Sequence, residues 1–166
     1  MRGLGALFQK KIFIIIIVLS GIFLLLGIIS AQFFSLEIGE SEGIKHHSLI
    51  EILKTNFTVF AILASGVFFF RISTMLSIAI NNFVFGFIIS HTVSFYSASI
   101  LIAVFAHGIF EISSFLIASF IGFSNIKNLR KYKKNFIIIG AIGCLLLIFA
   151  GLIETYISPQ ILKEVI

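Results

Sequence analysis

Apolar residues run along this chain in long blocks, broken at a few polar points. Ile12–Phe34 is the first block, and the polar, acidic stretch Ser35–His47 follows it, with Glu37, Glu40 and Glu42 around Gly39 and Gly43. A second block runs from Leu49 to Phe70 and stops at Arg71. Ile72–Phe110 then gives 39 residues without a charge, and Glu111 is the one charged residue between Ile72 and Ile126. A spanning helix needs roughly 20 apolar residues at about 1.5 Å each. The 39-residue run is too long for one span, and its most polar part, His91–Ser97, marks a break. The pattern predicts an all-α integral membrane bundle of about five transmembrane helices. They fall at about 12–34, 49–70, 72–90, 98–123 and 136–153. A basic inner loop covers 124–134, Pro159 ends the last helix, and 159–166 is a short amphipathic tail. The first helix is longer than the apolar core of a cleaved signal peptide and is read as retained.

Composition agrees with lipid as the solvent. The chain has 166 residues, 59% of them apolar, with mean hydropathy +1.17 and 11% charged residues. A soluble domain is closer to 45–50% apolar. The length allows one membrane domain, residues 1–166, and no separate soluble one. No internal repeat is visible. Cys144 is the single cysteine, which excludes a disulfide framework or a cysteine metal site.

The net charge is +5, and its distribution orients the bundle. With the N-terminus cytoplasmic, the inner side carries Arg2, Lys10, Lys11, Arg71, Lys127, Arg130, Lys131, Lys133 and Lys134, and the outer side Lys45, Lys54 and Lys163. Nine against three satisfies the positive-inside rule. The basic clusters therefore read first as topogenic flanks, with a nucleic-acid or acidic-lipid site as the sharper alternative. Nucleic acid is not an expected partner.

Candidate chemistry centres on the fourth predicted helix. Glu111 lies near its middle, the costliest depth for a charge. His107 and Glu111 are four residues apart and share a face, which continues through Ser114, Ala118 and Gly122. A polar, small-residue stripe of this kind should face protein. Asn81 and Asn82 sit at the middle of the third helix, where either amide could donate to Glu111. Asn56, early in helix two, and Glu154, at the outer end of helix five, form a second polar layer. Two readings of His107 and Glu111 stay open: a hydrogen-bonded pair that fixes packing, and a proton or ion relay. An intramembrane hydrolase finds no visible nucleophile or metal set. HGIFE lacks the second histidine of H-E-x-x-H, and there is no Walker loop or G-x-S-x-G. His46-His47 with His91 could form an outer metal site only by a coincidence of folding. No catalytic residue, metal or cofactor is expected.

Three segments, in order, resemble a known family. They are "ILKTNFTVFAILASG" leading into "NNFVFGF", then "HGIFEISSFLIASFIGF", then "AGLIETYISP". Together they are similar to the stage II sporulation protein M family of multi-pass membrane proteins. The resemblance implies that Asn56, Gly66, His107, Gly108, Glu111, Gly122, Glu154 and Pro159 occupy family-motif positions. The chain departs from the family at Asn81-Asn82-Phe83, where members commonly read Asn-Gly, and at Ser113 and Ser114, where alanine is usual. The family's namesake helps assemble a cell-wall-degrading machine, and shorter relatives occur with circular bacteriocin systems. By that resemblance the expected role is a non-enzymatic scaffold or accessory subunit for envelope remodelling or peptide export. It would sit in the plasma membrane of a bacterium or archaeon. Expected partners are the bilayer and other membrane or envelope proteins, an ATPase subunit or peptidoglycan-degrading enzymes among them, with a homo-oligomer open. The competing expectation is a transporter or channel component with Glu111 as its coupling group.

Overall fold

The computed structural model describes residues 2–34, 48–95 and 100–165, and is helical throughout, with no strand among them. The helices are α1 (Arg2–Ser30), α2 (Leu49–Ser65), α3 (Ile72–Phe95), α4 (Ile100–Phe123), α5 (Ile126–Lys131), α6 (Lys133–Leu152) and α7 (Ser158–Val165). A π-helical turn, Ile153–Ile157, joins α6 to α7. Four helical stretches are long and apolar enough to cross a membrane: Lys10–Ser30, Ile72–Ser94, Val104–Phe123 and Lys133–Ile161. The fifth expected helix, α2, has 17 residues, a length of about 25 Å. It packs against α3, α4 and α6 inside the bundle.

Neighbour contacts fix the direction of each helix. Gly27 meets Phe83 and Phe87, Gly86 meets Leu24 and Ile28, and His91 Nε2 lies 3.0 Å from the Phe34 carbonyl oxygen. α1 and α3 therefore run parallel. Asn56 meets Glu111, and Gly66 meets Gly122, so α2 and α4 also run parallel. α6 runs opposite to them, with Gly143 against Phe60 and Ile117 and Gly151 against Leu49 and Leu53. The α1–α3 and α2–α4 crossings work because glycines let two backbones approach closely. A Cβ on Gly27 would collide with the Phe83 carbonyl, and one on Gly86 with the Leu24 carbonyl.

The apolar core is small. Leu63, Ala118 and Leu147 are fully buried, with Phe60 and Phe123 around them and Ile12, Ile16 and Ile78 on the α1–α3 side. Most large apolar side chains, such as Ile14, Leu25, Ile80, Ile109 and Phe149, point outward. In water such a surface would drive aggregation. In lipid it is the proper exterior, and the interior is held by close packing and hydrogen bonds.

Several boundaries differ from the hydropathy reading. α1 begins at Arg2 instead of 12, since the helix continues through the proline-free basic flank. α2 ends at Ser65 and not 70. The chain reverses through 66–71, with Phe70 (φ 49°) and Arg71 (φ 69°) in the left-handed region, where non-glycine residues are uncommon. Arg71 N–H donates to the Gly66 carbonyl at 2.7 Å, and the Ser65 and Ser73 hydroxyls are 3.0 Å apart across the reversal. Apolarity alone cannot reveal such a turn. α3 continues to Phe95, past the break expected at His91, since its serines return hydrogen bonds to the helix: Ser94 Oγ donates to Ser90 O at 2.8 Å. The basic 124–134 stretch is not an open loop but holds α5, capped by Asn125, whose side chain accepts from Lys127 N–H at 3.0 Å.

Pro159 does not end the last helix. The π turn before it shifts the hydrogen-bond register, with Ser158 N–H donating to Ile153 O. This removes the conflict a proline otherwise creates in an α-helix interior. Ser35–His47, and with it the His46-His47 pair, lies outside the described residues.

Candidate polar cavity

The polar groups of three helices converge on one partly open cavity of about 360 Å³, lined by Glu51, Ile52, Thr55, Asn56, Glu111 and Glu154. α2 supplies four of these residues. Its start is fixed by a capping box: Ser48 N–H donates to Glu51 Oε2 at 2.9 Å, and Glu51 N–H donates to Ser48 Oγ at 3.3 Å. The box places Glu51 at the exposed mouth, and one turn further in the same helix presents Thr55 and Asn56. α4 supplies Glu111 from its centre. The π turn supplies Glu154, and such turns often occur at functional sites.

Asn56 Nδ2 donates to Glu111 Oε1, a contact between helices 55 residues apart in sequence. Both side chains are half-buried. Glu111 thus takes its hydrogen bond from helix α2, not from Asn81 or Asn82 as the sequence suggested. Those amides turn back to their own helix: Asn81 Nδ2 donates to Ser77 O (2.7 Å) and Ser77 Oγ (3.0 Å), and Asn82 Nδ2 to Ile78 O (2.8 Å). α3 is committed mainly to α1, which leaves its midpoint polar groups away from the cavity.

His107 also looks elsewhere. Its Nδ1 lies 3.2 Å from Ser158 Oγ, at the start of α7. His107 and Glu111 do share a face, as expected, but each ties α4 to a different element. The rest of that face behaves as a packing stripe. Ser114 is fully buried and its Oγ donates to Gly143 O at 2.8 Å, Ala118 is fully buried, and Gly122 is buried against Leu63 and Thr74. Beneath the cavity the helices close on one another through these contacts.

The remaining motif positions divide between the cavity and the seal. Glu154 lines the cavity, and Pro159 follows the turn that holds it. Gly66 and Gly122 form the inner crossing with Thr74, whose buried hydroxyl donates to Leu63 O at 2.6 Å. Gly108 is buried, yet a Cβ there would meet nothing within 4 Å. Sequence reasoning missed Glu51 and Thr55 as cavity residues and Thr74 as a crossing residue. Glu51, Thr55 and Asn56 do fall on one side of α2, a signal visible in the spacing. Thr74 gives none. Among the described residues no cluster of three His, Cys, Asp or Glu has metal-binding geometry.

The segments that build this cavity also carry the family likeness. The sequence pattern of Stage II sporulation protein M matches residues 12–159. The chain belongs to the stage II sporulation protein M family. The matched range spans the positions of Asn56, Glu111 and Glu154. This family member is also similar to an uncharacterized protein of Methanocaldococcus jannaschii, 30% identical over 125 residues, covering 66% of this chain and 70% of the relative. No solved structure matches.

Proposed function

We propose that this stage II sporulation protein M family protein works without catalysis, as an accessory or scaffold subunit of a plasma-membrane complex for envelope remodelling or peptide export. The observation that carries this reading is the form of the cavity. It is partly open, with Glu51 exposed and Asn56, Glu111 and Glu154 half-buried along its wall. Below it, Ser114, Ala118 and Leu147 are fully buried. A polar recess with a close-packed floor suits recognition of a partner better than conduction. Its carboxyl groups favour a basic segment of an envelope or exported protein as the group recognised. Peptidoglycan-degrading enzymes on the outer side and an ATPase subunit on the inner side are the partner classes the family likeness supports.

The test is crosslinking in native membranes followed by capture and mass spectrometry. It compares wild type with Glu111→Gln and Glu154→Gln, each checked for insertion. A stoichiometric partner that the variants lose supports the proposal. The second reading is a transporter component, favoured by the half-buried position of Glu111 at the middle of α4. It takes over if wild type purifies alone as a homo-oligomer and Glu111→Gln abolishes flux in proteoliposomes without loss of folded protein.

A further inference from the structure

Positive charge on the described side chains is concentrated at one end of the folded bundle, with Lys54 the exception at the other. Among the described side chains the carboxyl groups belong to Glu51, Glu111 and Glu154, all in the outer half or at mid-depth. The opposite end presents Lys10, Lys11, Arg71 and the five basic residues between 127 and 134, every one of them exposed. Helix geometry brings these to one level. Lys10 lies 17 residues before Gly27, and Ile72 lies 14 before Gly86, so Lys10 and Arg71 sit roughly 21–25 Å below the same α1–α3 crossing. The Gly66–Gly122 contact brings the 66–71 reversal beside the end of α4, where α5 begins.

A purely topogenic role needs positive charge in the loop during insertion and nothing more. The structure adds two features. α5 is folded and sided: Ile126 and Leu129 are half-buried, while Lys127, Arg130 and Lys131 face out. Exposed aromatic rings lie beside the cations: Phe68 and Phe69 at 62%, Phe70 at 90% and Tyr132 at 49% exposure. Lys131 Nζ stands 5.3 Å from the Tyr132 ring centroid. Aromatic rings next to cations at the end of a spanning helix match the boundary between acyl chains and headgroups.

We propose that this end of the bundle is a binding surface for anionic phospholipid headgroups, which gather against α5 and the 66–71 reversal. The cations contact the phosphodiester oxygens, and the phenylalanine rings enter the acyl region beneath them. This inference does not depend on the role of the cavity.

The experiment uses the full chain in nanodiscs of equal phosphatidylglycerol and phosphatidylcholine, with native mass spectrometry of the lipids it retains. Phosphatidylglycerol should be enriched several-fold over the bulk mixture. The joint variant Arg130→Gln, Lys131→Gln, Lys133→Gln and Lys134→Gln should lose most of that enrichment, while Lys54→Gln, at the other end, should keep it. For wild type alone, the enrichment should fall as salt rises from about 0.1 M to about 1 M, because the screening length shrinks from about 10 Å to about 3 Å. Retained lipid that mirrors the bulk mixture overturns the proposal. So does enrichment that survives the joint variant, or that ignores salt. Displacement of phosphatidylglycerol by a co-purifying acidic protein would overturn it in favour of a protein partner.

Discussion

Asn56→Ala would remove the amide that donates to Glu111 among the described residues and leave a half-buried carboxyl group without it. Losing one partner of a buried polar pair costs about 1–3 kcal/mol, so thermal unfolding in detergent should show Asn56→Ala clearly destabilised. Glu111→Gln keeps an acceptor oxygen and should cost less. A double-mutant cycle between the two positions should show non-additivity, and additive losses would mean that the contact does not form. Glycines give a sharper contrast. A Cβ at Gly66 would collide with the Thr74 hydroxyl, whereas one at Gly21 or Gly108 meets nothing within 4 Å. Gly66→Ala should therefore destabilise by about 1–3 kcal/mol through overpacking, and Gly108→Ala should be neutral or stabilising by up to about 1 kcal/mol through helix propensity. Combining Gly66→Ala with Thr74→Ala should cost less than the two single losses added together.

At the same scale, the sequence made Glu111 conspicuous but not its partner. A carboxyl group in an uncharged run stands out because burying it is costly. Which amide answers it depends on depth, and depth follows from where each helix ends. With helix two drawn to Phe70, Asn56 belonged to its outer part. The helix stops at Ser65, and Asn56 becomes its middle, level with Glu111. Asn81 and Asn82 were at a suitable depth, but their helix is turned toward α1.

Elements owe their existence to apolar run length and their ends to contacts that run length does not encode. The α2–α3 reversal rests on left-handed Phe70 and Arg71, and neither is a customary turn former. Replacing Phe70 by glycine should stabilise the protein slightly, since glycine adopts positive φ without a steric penalty. Thermal unfolding measures this, and a loss of stability would show that the exposed ring contributes more than the strain costs. The π turn is the other feature that the hydropathy pattern hides. Five residues, Ile153–Ile157, move Pro159 out of conflict with the helix and leave Glu154 facing the cavity.

On the scale of the whole molecule, the charge pattern sets the expected orientation. The sorted ends seen in the fold follow from basic residues on alternate sides of the spans. Cysteine labelling of intact cells should therefore reach a Ser48→Cys variant from outside and a Lys131→Cys variant only after the membrane is permeabilised. The reverse pattern would invert the bundle and place the cavity mouth in the cytoplasm. The four long apolar stretches were legible, as was their interior polar face on α4. Which helices are neighbours was not, because in lipid every wall is greasy and pairing is decided by a few glycines and hydroxyls.

The parallel pairing of α1 with α3 has a consequence in time. Gly27 and Gly86 approach each other's backbones, yet 59 residues separate them in the chain. At about 5–20 residues per second of synthesis, the ribosome needs about 3–12 s between making the two. During that interval α1 stands in the bilayer with its glycine face against lipid, while α2 inserts beside it. Helix α1 thus keeps its glycine face uncovered until α3 is made, and a membrane chaperone that shelters it would act in those seconds.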